Sequence, residues 1–183
     1  MLEELLDKNK TLVLQRWFEN VLETYPAETR KFLGDQRNRF SNPVGASISE
    51  GIEGLYQHLL HGTEAESTDF SEFLDRIIRV RAVQQFSPSQ AIGFILVLKQ
   101  VVRETLGREI ANWGIEDEFI EFERRIDKLA LLSFDKYMEC RETIFDIRIR
   151  EIKDSTCRTW ERICRKYGNP EDTSDTESNL PRV

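Results

Sequence analysis

Apolar residues recur every three or four positions along nearly the whole chain, which is typical of amphipathic helices. The first such stretch predicts a single helix that ends before Pro26, because the residue before a proline disfavours helical geometry. Its apolar face comprises Leu2, Leu6, Val13, Trp17, Val21 and Tyr25. A short helix is predicted over 27–33, and Gly34 is suited to end it.

Capping residues predict where the next helix begins. Asn42 is a favourable N-cap and Pro43 a favourable first helical residue. The apolar residues that follow are spaced by three or four, and the helix is expected to end near His61, before Gly62.

A further helix is expected from Asp69, because Asp69 and Glu72 resemble a capping box. On its outer side Glu72 should pair with Arg76, and Asp75 with Arg79, both at the i,i+4 spacing of helical ion pairs. This surface is therefore expected to face water.

Residues 81–95 read RAVQQFSPSQAIGFI and mark the start of another helix. Ser87 is predicted as the N-cap, Pro88 as the first residue and Gln90 as the third, which together form a capping box. The residues that follow are apolar on nearly every side, so this should be the buried central helix. Gly93 is expected to permit the close approach of a neighbouring helix.

The last helical pattern runs from about Ile115 to about Tyr167 without Gly or Pro. Its first half is apolar enough to cover a core, whereas its second half carries only a narrow stripe suited to pairing with another helix. The stripe comprises Phe145, Ile149, Ile152, Thr156, Trp160, Ile163 and Tyr167. We take Phe145, Ile149, Ile152 and Trp160 as the candidate dimer interface.

These patterns predict an all-α protein in three segments. Residues 1–140 should form a helical domain, and residues 141–168 should extend its last helix and form a homodimer. Residues 169–183 are polar and acidic, as is typical of a disordered tail.

Composition narrows the classes of function. The formal net charge of −7 disfavours binding to nucleic acid. The sequence contains no run of 18 apolar residues, which a membrane-spanning helix would need. The N-terminus lacks the features of a secretory signal. Three cysteines, Cys140, Cys157 and Cys164, without such a signal indicate reduced thiols. We therefore expect a cytoplasmic protein.

Few residues suggest chemistry. None of the common nucleophile, phosphate-loop, dinucleotide or zinc-protease motifs occurs, so we predict no enzyme and no cofactor. His58 and His61 lie three residues apart and could act as metal or haem ligands. Their position in the last turn of a helix, where imidazole interacts favourably with the helix dipole, is the better interpretation.

Arg81, Gln84 and Gln85 are the candidate sensing or contact residues. Arg81 follows Ile77 by four residues, which places it near the apolar stripe of its helix. An arginine in such a position generally extends its charged end to water or pairs with a buried carboxylate. The two glutamines lie at the mouth of the junction before Ser87.

Four motifs, in the order RWFENVLETYP, RFSNPVG, RIIRVRAVQQFSPSQAIGFI and FDKYMECRE, resemble one family. They are similar to the N-terminal domain of the RsbR/RsbRD-type co-antagonists, the stressosome sensor proteins. The resemblance covers roughly residues 4–155 and implies a globin-like sensory domain that binds no haem. It also implies a homodimer whose last helix connects to a C-terminal STAS domain.

Because a polar, acidic stretch follows Tyr167, we expect no STAS domain and a stand-alone sensor or adaptor that acts in signalling through protein–protein contacts. Its partner signalling protein is not identified by the sequence. The alternative is a helical cofactor-binding or docking protein that serves a redox, electron-transfer complex. A visible absorption band or bound iron would distinguish it.

Overall fold

The computed structural model describes residues 1–34, 42–61 and 68–168. Within these ranges the chain forms seven helices and no strand, which confirms the all-α prediction. They are α1 (Leu2–Lys8), α2 (Lys10–Glu23), α3 (Ala27–Gly34), α4 (Pro43–His61), α5 (Thr68–Val83), α6 (Pro88–Trp113) and α7 (Glu116–Tyr167). The acidic tail 169–183 and the side chain of Asp69 lie outside the described part. The globin-like arrangement stays a prediction.

The first 25 residues form two helices, so the prediction of a single helix was wrong. Asn9 leaves helical geometry, with φ −104° and ψ 11°, and separates α1 from α2. Its side-chain Nδ2 donates to the carbonyl of Leu5 at 2.9 Å and so satisfies an acceptor near the end of α1. Asparagine favours such local bonds over helix propagation. The six predicted core residues are nevertheless buried on both sides of the break.

Two of the predicted helix starts are confirmed in detail. Asn42 Oδ1 accepts from the backbone amide of Gly45 at 2.9 Å, as an N-cap side chain should. Ser87 and Gln90 form a complete capping box at the start of α6, with Pro88 as its first residue. These contacts fix where α4 and α6 begin.

The chain divides into two units, Met1–Arg141 and the residues from Glu142 onward. In the first unit α6 packs against α2 and α5 and buries nine of its residues, but Leu96 is 45% exposed, so the expected burial on nearly every side was wrong. The Trp17 indole stacks on Phe94 with ring centroids 6.2 Å apart, and its Nε1 donates to the Phe94 carbonyl at 2.7 Å. The Tyr56 hydroxyl likewise donates to the carbonyl of Leu6 at 3.0 Å, which ties α4 to α1.

Close helix packing occurs at α4 rather than at Gly93. A Cβ added to Gly54 would lie 2.4 Å from the Phe73 ring, and one added to Gly51 would lie 2.7 Å from Ile77. No atom of the described residues outside the helix itself lies within 4 Å of a Cβ at Gly93, so the close approach expected there is wrong. The α4–α5 contact therefore depends on the small residues of α4.

In the second unit, the described residues 142–168 continue α7 and contain no buried side chain. The helix ends where Gly168 adopts φ +82° and its amide bonds to the Cys164 carbonyl at 2.9 Å. Among residues 142–168, the large apolar side chains of this segment are therefore exposed or half-buried.

Candidate functional site at the Arg81 junction

The candidate site lies where α5 ends and α6 begins. The amide of Phe86 bonds to the Arg81 carbonyl at 3.3 Å, and the amide of Gln85 bonds to the Ala82 carbonyl at 3.4 Å. This is the Schellman pattern that closes many helices, and it requires a left-handed residue between helix and turn. Gln85 occupies that position with φ +63°.

A glutamine in this backbone conformation is unusual, because glycine is the residue that adopts it without steric cost. The same pattern closes α6, where Gly114 has φ +65° and the Ile115 amide bonds to the Ile110 carbonyl. Among the described non-glycine residues, Gln85 alone has a positive φ. Local strain of this kind tends to accumulate at functional positions.

The Arg81 side chain is fully buried beneath this turn, with 0% exposure. Its Nη1 donates to the carbonyl of Gln90 at 2.8 Å, and its Nη2 donates to the Thr24 hydroxyl. A longer bond of 3.5 Å joins Nη2 to the carbonyl of Val21, in the last turn of α2. Arg81 therefore connects the ends of α2 and α5 to the start of α6.

Three aromatic rings surround the guanidinium. Its central carbon lies 4.8 Å from the ring centroid of Phe86, 5.0 Å from that of Phe94 and 5.5 Å from that of Tyr25. Such cation–π contacts stabilise a charge that has lost its hydration. Burial lowers the pKa of Arg81 below its ordinary value, while the Tyr25 hydroxyl opposes that shift. The guanidinium nevertheless stays charged in a protein.

Arg81 contacts no carboxylate in the described part of the chain, so the expected pairing with a buried acid did not occur. Its Nε atom is buried and has no hydrogen-bond acceptor among these residues. Both alternatives expected for Arg81, exposure and ion pairing, were wrong. A buried cation with dipolar and aromatic neighbours alone is costly, since no opposite charge compensates it.

A surface pocket of about 340 Å³ opens above Arg81. None of its lining residues carries a charge: they are Thr24, Tyr25, Pro26, Thr29, Gln84, Gln85, Phe86 and Gln90. Two of the three predicted sensing residues, Gln84 and Gln85, thus line it, whereas Arg81 does not line it but contacts four residues that do. Sequence reasoning missed Tyr25 and Thr24, which come from a distant helix and which no local motif marks.

The glutamine side chains of the pocket have defined orientations. Gln84 Oε1 accepts from the Tyr25 hydroxyl at 3.1 Å. Gln90 Oε1 accepts from the Ser87 amide and hydroxyl, both at 3.1 Å. With both oxygens occupied, the Nε2 groups are the free polar atoms of these side chains within the described structure, and Nε2 only donates.

Two bonds connect the junction to α7. The Tyr137 hydroxyl donates to the carbonyl of Phe86, the residue that follows the strained Gln85. Arg141 Nη1 donates to the carbonyl of Ala82, in the last turn of α5, at 3.3 Å. A rearrangement of the turn would therefore change the hydrogen bonds of two α7 residues that lie one helical turn apart.

The two histidines do not form a shared site. Nδ1 of His61 lies 2.9 Å from Glu3 Oε1, and its Nε2 lies 3.1 Å from Gln57 Oε1, so both ring nitrogens have partners. Burial lowers the pKa of His58. In the described ranges no three His, Cys, Asp or Glu side chains come together as a metal site. Both histidines do lie in the last turn of α4.

Of the candidate dimer residues in the second unit, Phe145, Ile152 and Trp160 are 64%, 66% and 52% exposed. Ile149 is partly exposed. Large apolar side chains in such a row are seldom left in water. None of the helices in the described ranges is both long and apolar enough to cross a membrane.

In the first unit, α7 also exposes large apolar residues that sequence reasoning assigned to no role. Leu131 is 70% exposed, Phe134 45% and Met138 39%. Leu131 and Met138 precede Phe145 and Ile152 at intervals of seven, and residues seven apart share a helix face to within about 20°. This seven-residue spacing is the feature of the sequence from which the exposed residues could have been identified.

Comparison with known proteins gives two results. The family model described as the RsbT co-antagonist protein RsbRD N-terminal domain matches residues 12–152. An uncharacterised protein of Archaeoglobus fulgidus is 28% identical over 150 residues, which cover 80% of this chain and 85% of the relative. No solved structure matches the chain.

Proposed function

Because the chain belongs to the RsbT co-antagonist RsbRD N-terminal domain family, we propose that it is a non-catalytic, cytoplasmic sensory adaptor that works as a homodimer. Membership of this family implies a sensory role in stress signalling. The proposal adds a means of assembly and a means of transmission. The observation that carries it is the exposed apolar row of α7.

The row supports helix pairing in this chain. Phe145, Ile149 and Ile152 are separated by four and three residues, as in the a and d positions of a heptad. Two of them are more than three-fifths exposed, and burying each large apolar side chain stabilises an assembly by roughly 1.5–3 kcal/mol. A second copy of α7 offers the same row and would cover it.

Transmission follows from the bonds that tie the junction to α7. A change at the turn around Gln85 would alter the acceptors of Tyr137 and Arg141. Both donors belong to α7. A shift of their acceptors would therefore rotate or slightly translate that helix. Shifts of packed helices are a common element of signalling transitions. A partner protein would then distinguish two arrangements of the helix pair.

The test replaces Ile149 and Ile152 together with glutamate and measures molar mass by multi-angle light scattering. We expect a dimer for the unaltered protein and a monomer for the double variant, since paired carboxylates would be buried in the interface. Arg150→Glu changes the net charge by the same two units at an exposed position between the two isoleucines. This control should stay dimeric.

An unaltered mass in the double variant, or a monomeric unaltered protein, would contradict the helix-pair mechanism. An absorption spectrum from the same chromatographic peak tests the redox alternative. A visible band would favour that alternative and direct the next substitutions to His58 and His61.

A further inference from the structure

The pocket at the Arg81 junction is a cavity without an assigned occupant. Its volume of about 340 Å³ is at the lower end of the range typical of small-molecule sites. Its walls combine the aromatic groups of Tyr25 and Phe86 with hydroxyl and amide groups. This composition suits a small organic molecule with one apolar part and one polar end.

The electrostatics favour an anionic polar end. Four lining residues, Thr24, Tyr25, Phe86 and Gln90, are also direct contacts of Arg81, so its uncompensated charge lies immediately beneath the pocket. An anion above it would supply the opposite charge that the described protein does not. The fully buried guanidinium is separated from bulk water by these residues, so its attraction for an anion is screened less than that of a surface charge.

The hydrogen-bonding groups point to the same chemistry. The Nε2 groups of Gln84 and Gln90 are donors, because their oxygens are already occupied by protein donors. A ligand that accepts hydrogen bonds therefore fits better than one that donates them. Carboxylate oxygens accept without donating, and charge strengthens the bonds that they accept.

The charged groups around the pocket do not reverse this preference. Arg30 Nη2 donates to the carbonyls of Glu23 and Tyr25, at 3.3 and 3.5 Å, but Arg30 does not line the pocket. The carboxylates of Glu23 and Glu28 are near in sequence but do not line the pocket. The lining therefore contributes no negative charge.

We propose that this pocket binds a small organic carboxylate, whose anionic group lies over the buried Arg81 and whose apolar part packs against the edge-to-face ring pair of Tyr25 and Phe86. The inference rests on the proposed sensory function, since it names the class of signal that the junction would receive. A bound ligand would contact the strained turn at Gln85 and so act on the bonds to Tyr137 and Arg141.

The test is a two-dimensional amide NMR titration of the full chain at constant ionic strength. The probes are acetate, benzoate and 3-phenylpropionate, each paired with its neutral primary amide. We expect saturable shifts centred on Gln84, Gln85 and Phe86. At least one carboxylate should bind about tenfold more tightly than its amide, the effect of one favourable charge interaction.

The sharpest variant is Gln84→Glu. It keeps an acceptor for the Tyr25 hydroxyl and places a negative charge inside the pocket, so it should weaken carboxylate binding by about tenfold or more. Asn112→Asp is the matched control, because it adds the same charge to an exposed residue at the far end of α6. Its affinity should stay within about twofold, since the site is roughly 33 Å away along the helix.

The inference is overturned if no carboxylate gives saturable shifts at the junction, or if each binds no better than its amide. It is equally overturned if Gln84→Glu and Asn112→Asp bind alike. Light scattering on the same samples separates this result from the proposed function. A dimer that binds no carboxylate removes the ligand alone, whereas a monomer that binds one removes the helix-pair mechanism alone.

Discussion

Arg81 is buried with three hydrogen bonds and three aromatic contacts, and its removal should destabilise the fold. Arg81→Ala leaves a cavity and unpaired acceptors, so we expect a loss of about 3–5 kcal/mol in the free energy of unfolding. Arg81→Met fills most of the volume and removes the desolvated charge, which should limit the loss to about 1–3 kcal/mol. Urea denaturation of both variants measures the difference.

A loss for Arg81→Ala below about 0.5 kcal/mol would contradict this account, because that is the range of ordinary surface substitutions. A methionine variant less stable than the alanine variant would also contradict it. That order of stabilities would mean that Arg81 does not stabilise the fold by filling the volume around it.

Gln85 provides a second test at the same scale. Gln85→Gly should stabilise the protein by about 0.5–1 kcal/mol, because glycine adopts φ +63° without steric conflict. Gly114→Ala is the reciprocal control: a Cβ there would meet no atom of the described residues within 4 Å, so its cost of about 1 kcal/mol is conformational. Thermal unfolding of the two variants should show shifts of opposite sign.

If Gln85→Gly destabilises the protein, the glutamine side chain contributes contacts that outweigh its backbone strain. If the variant is more stable and retains carboxylate binding, the strain itself has no part in recognition. A gain in stability with weaker binding is the outcome expected of a strained residue retained for function.

At the scale of the elements, the helix caps could be predicted from the sequence, whereas the packing of one helix against another could not. The starts of α4 and α6 follow from Asn42 and from the Ser87–Gln90 pair, whose chemistry acts within one helical turn. The break at Asn9 was missed because apolar residues on both sides keep helical spacing. The close contact at Gly54 rather than Gly93 depends on which helix lies opposite, and periodicity does not encode that.

The candidate site shows the same division. Its two glutamines could be located from the junction between an amphipathic helix and an apolar one. The burial of Arg81 could not, because its acceptors come from α2 and α6, which are distant in sequence. The dimer residues of α7 remain a prediction, and the structure adds that three of the four, Phe145, Ile152 and Trp160, are more than half exposed among the described residues.

The exposed residues of α7 in the first unit lead to a prediction for this element. If α7 pairs with its copy over its length, Leu131→Glu combined with Met138→Glu should weaken the dimer by about tenfold or more. Folding of the protomer should change by no more than about 1 kcal/mol, because Leu131 is 70% and Met138 39% exposed. Sedimentation equilibrium measures the first effect and thermal unfolding monitored by circular dichroism the second, with Arg150→Glu as the control.

An unchanged dissociation constant would confine the pairing to residues beyond Arg141. A lower unfolding temperature at protein concentrations where both proteins are monomeric would show that these side chains pack within the protomer. The prediction requires the dimer to weaken while the monomer keeps its stability.

For the whole molecule, the division into two units predicts that folding depends on the first unit and dimerisation on the second. The described part of the second unit contains no buried residue, whereas the first contains the entire described core. A fragment comprising residues 1–141 should therefore unfold cooperatively, as a domain with its own core does. It keeps Tyr137 and Arg141, the two donors to the junction, so the carboxylate pocket should be retained.

The same fragment lacks Phe145, Ile149 and Ile152, so it should be monomeric at concentrations where the full chain is a dimer. Circular dichroism, light scattering and the benzoate titration together test this separation. A fragment that aggregates or unfolds without cooperativity would show that residues beyond Arg141 are needed for folding. A cooperative monomer that still binds benzoate would place recognition in the first unit and assembly in the second, leaving α7 as the element through which they communicate.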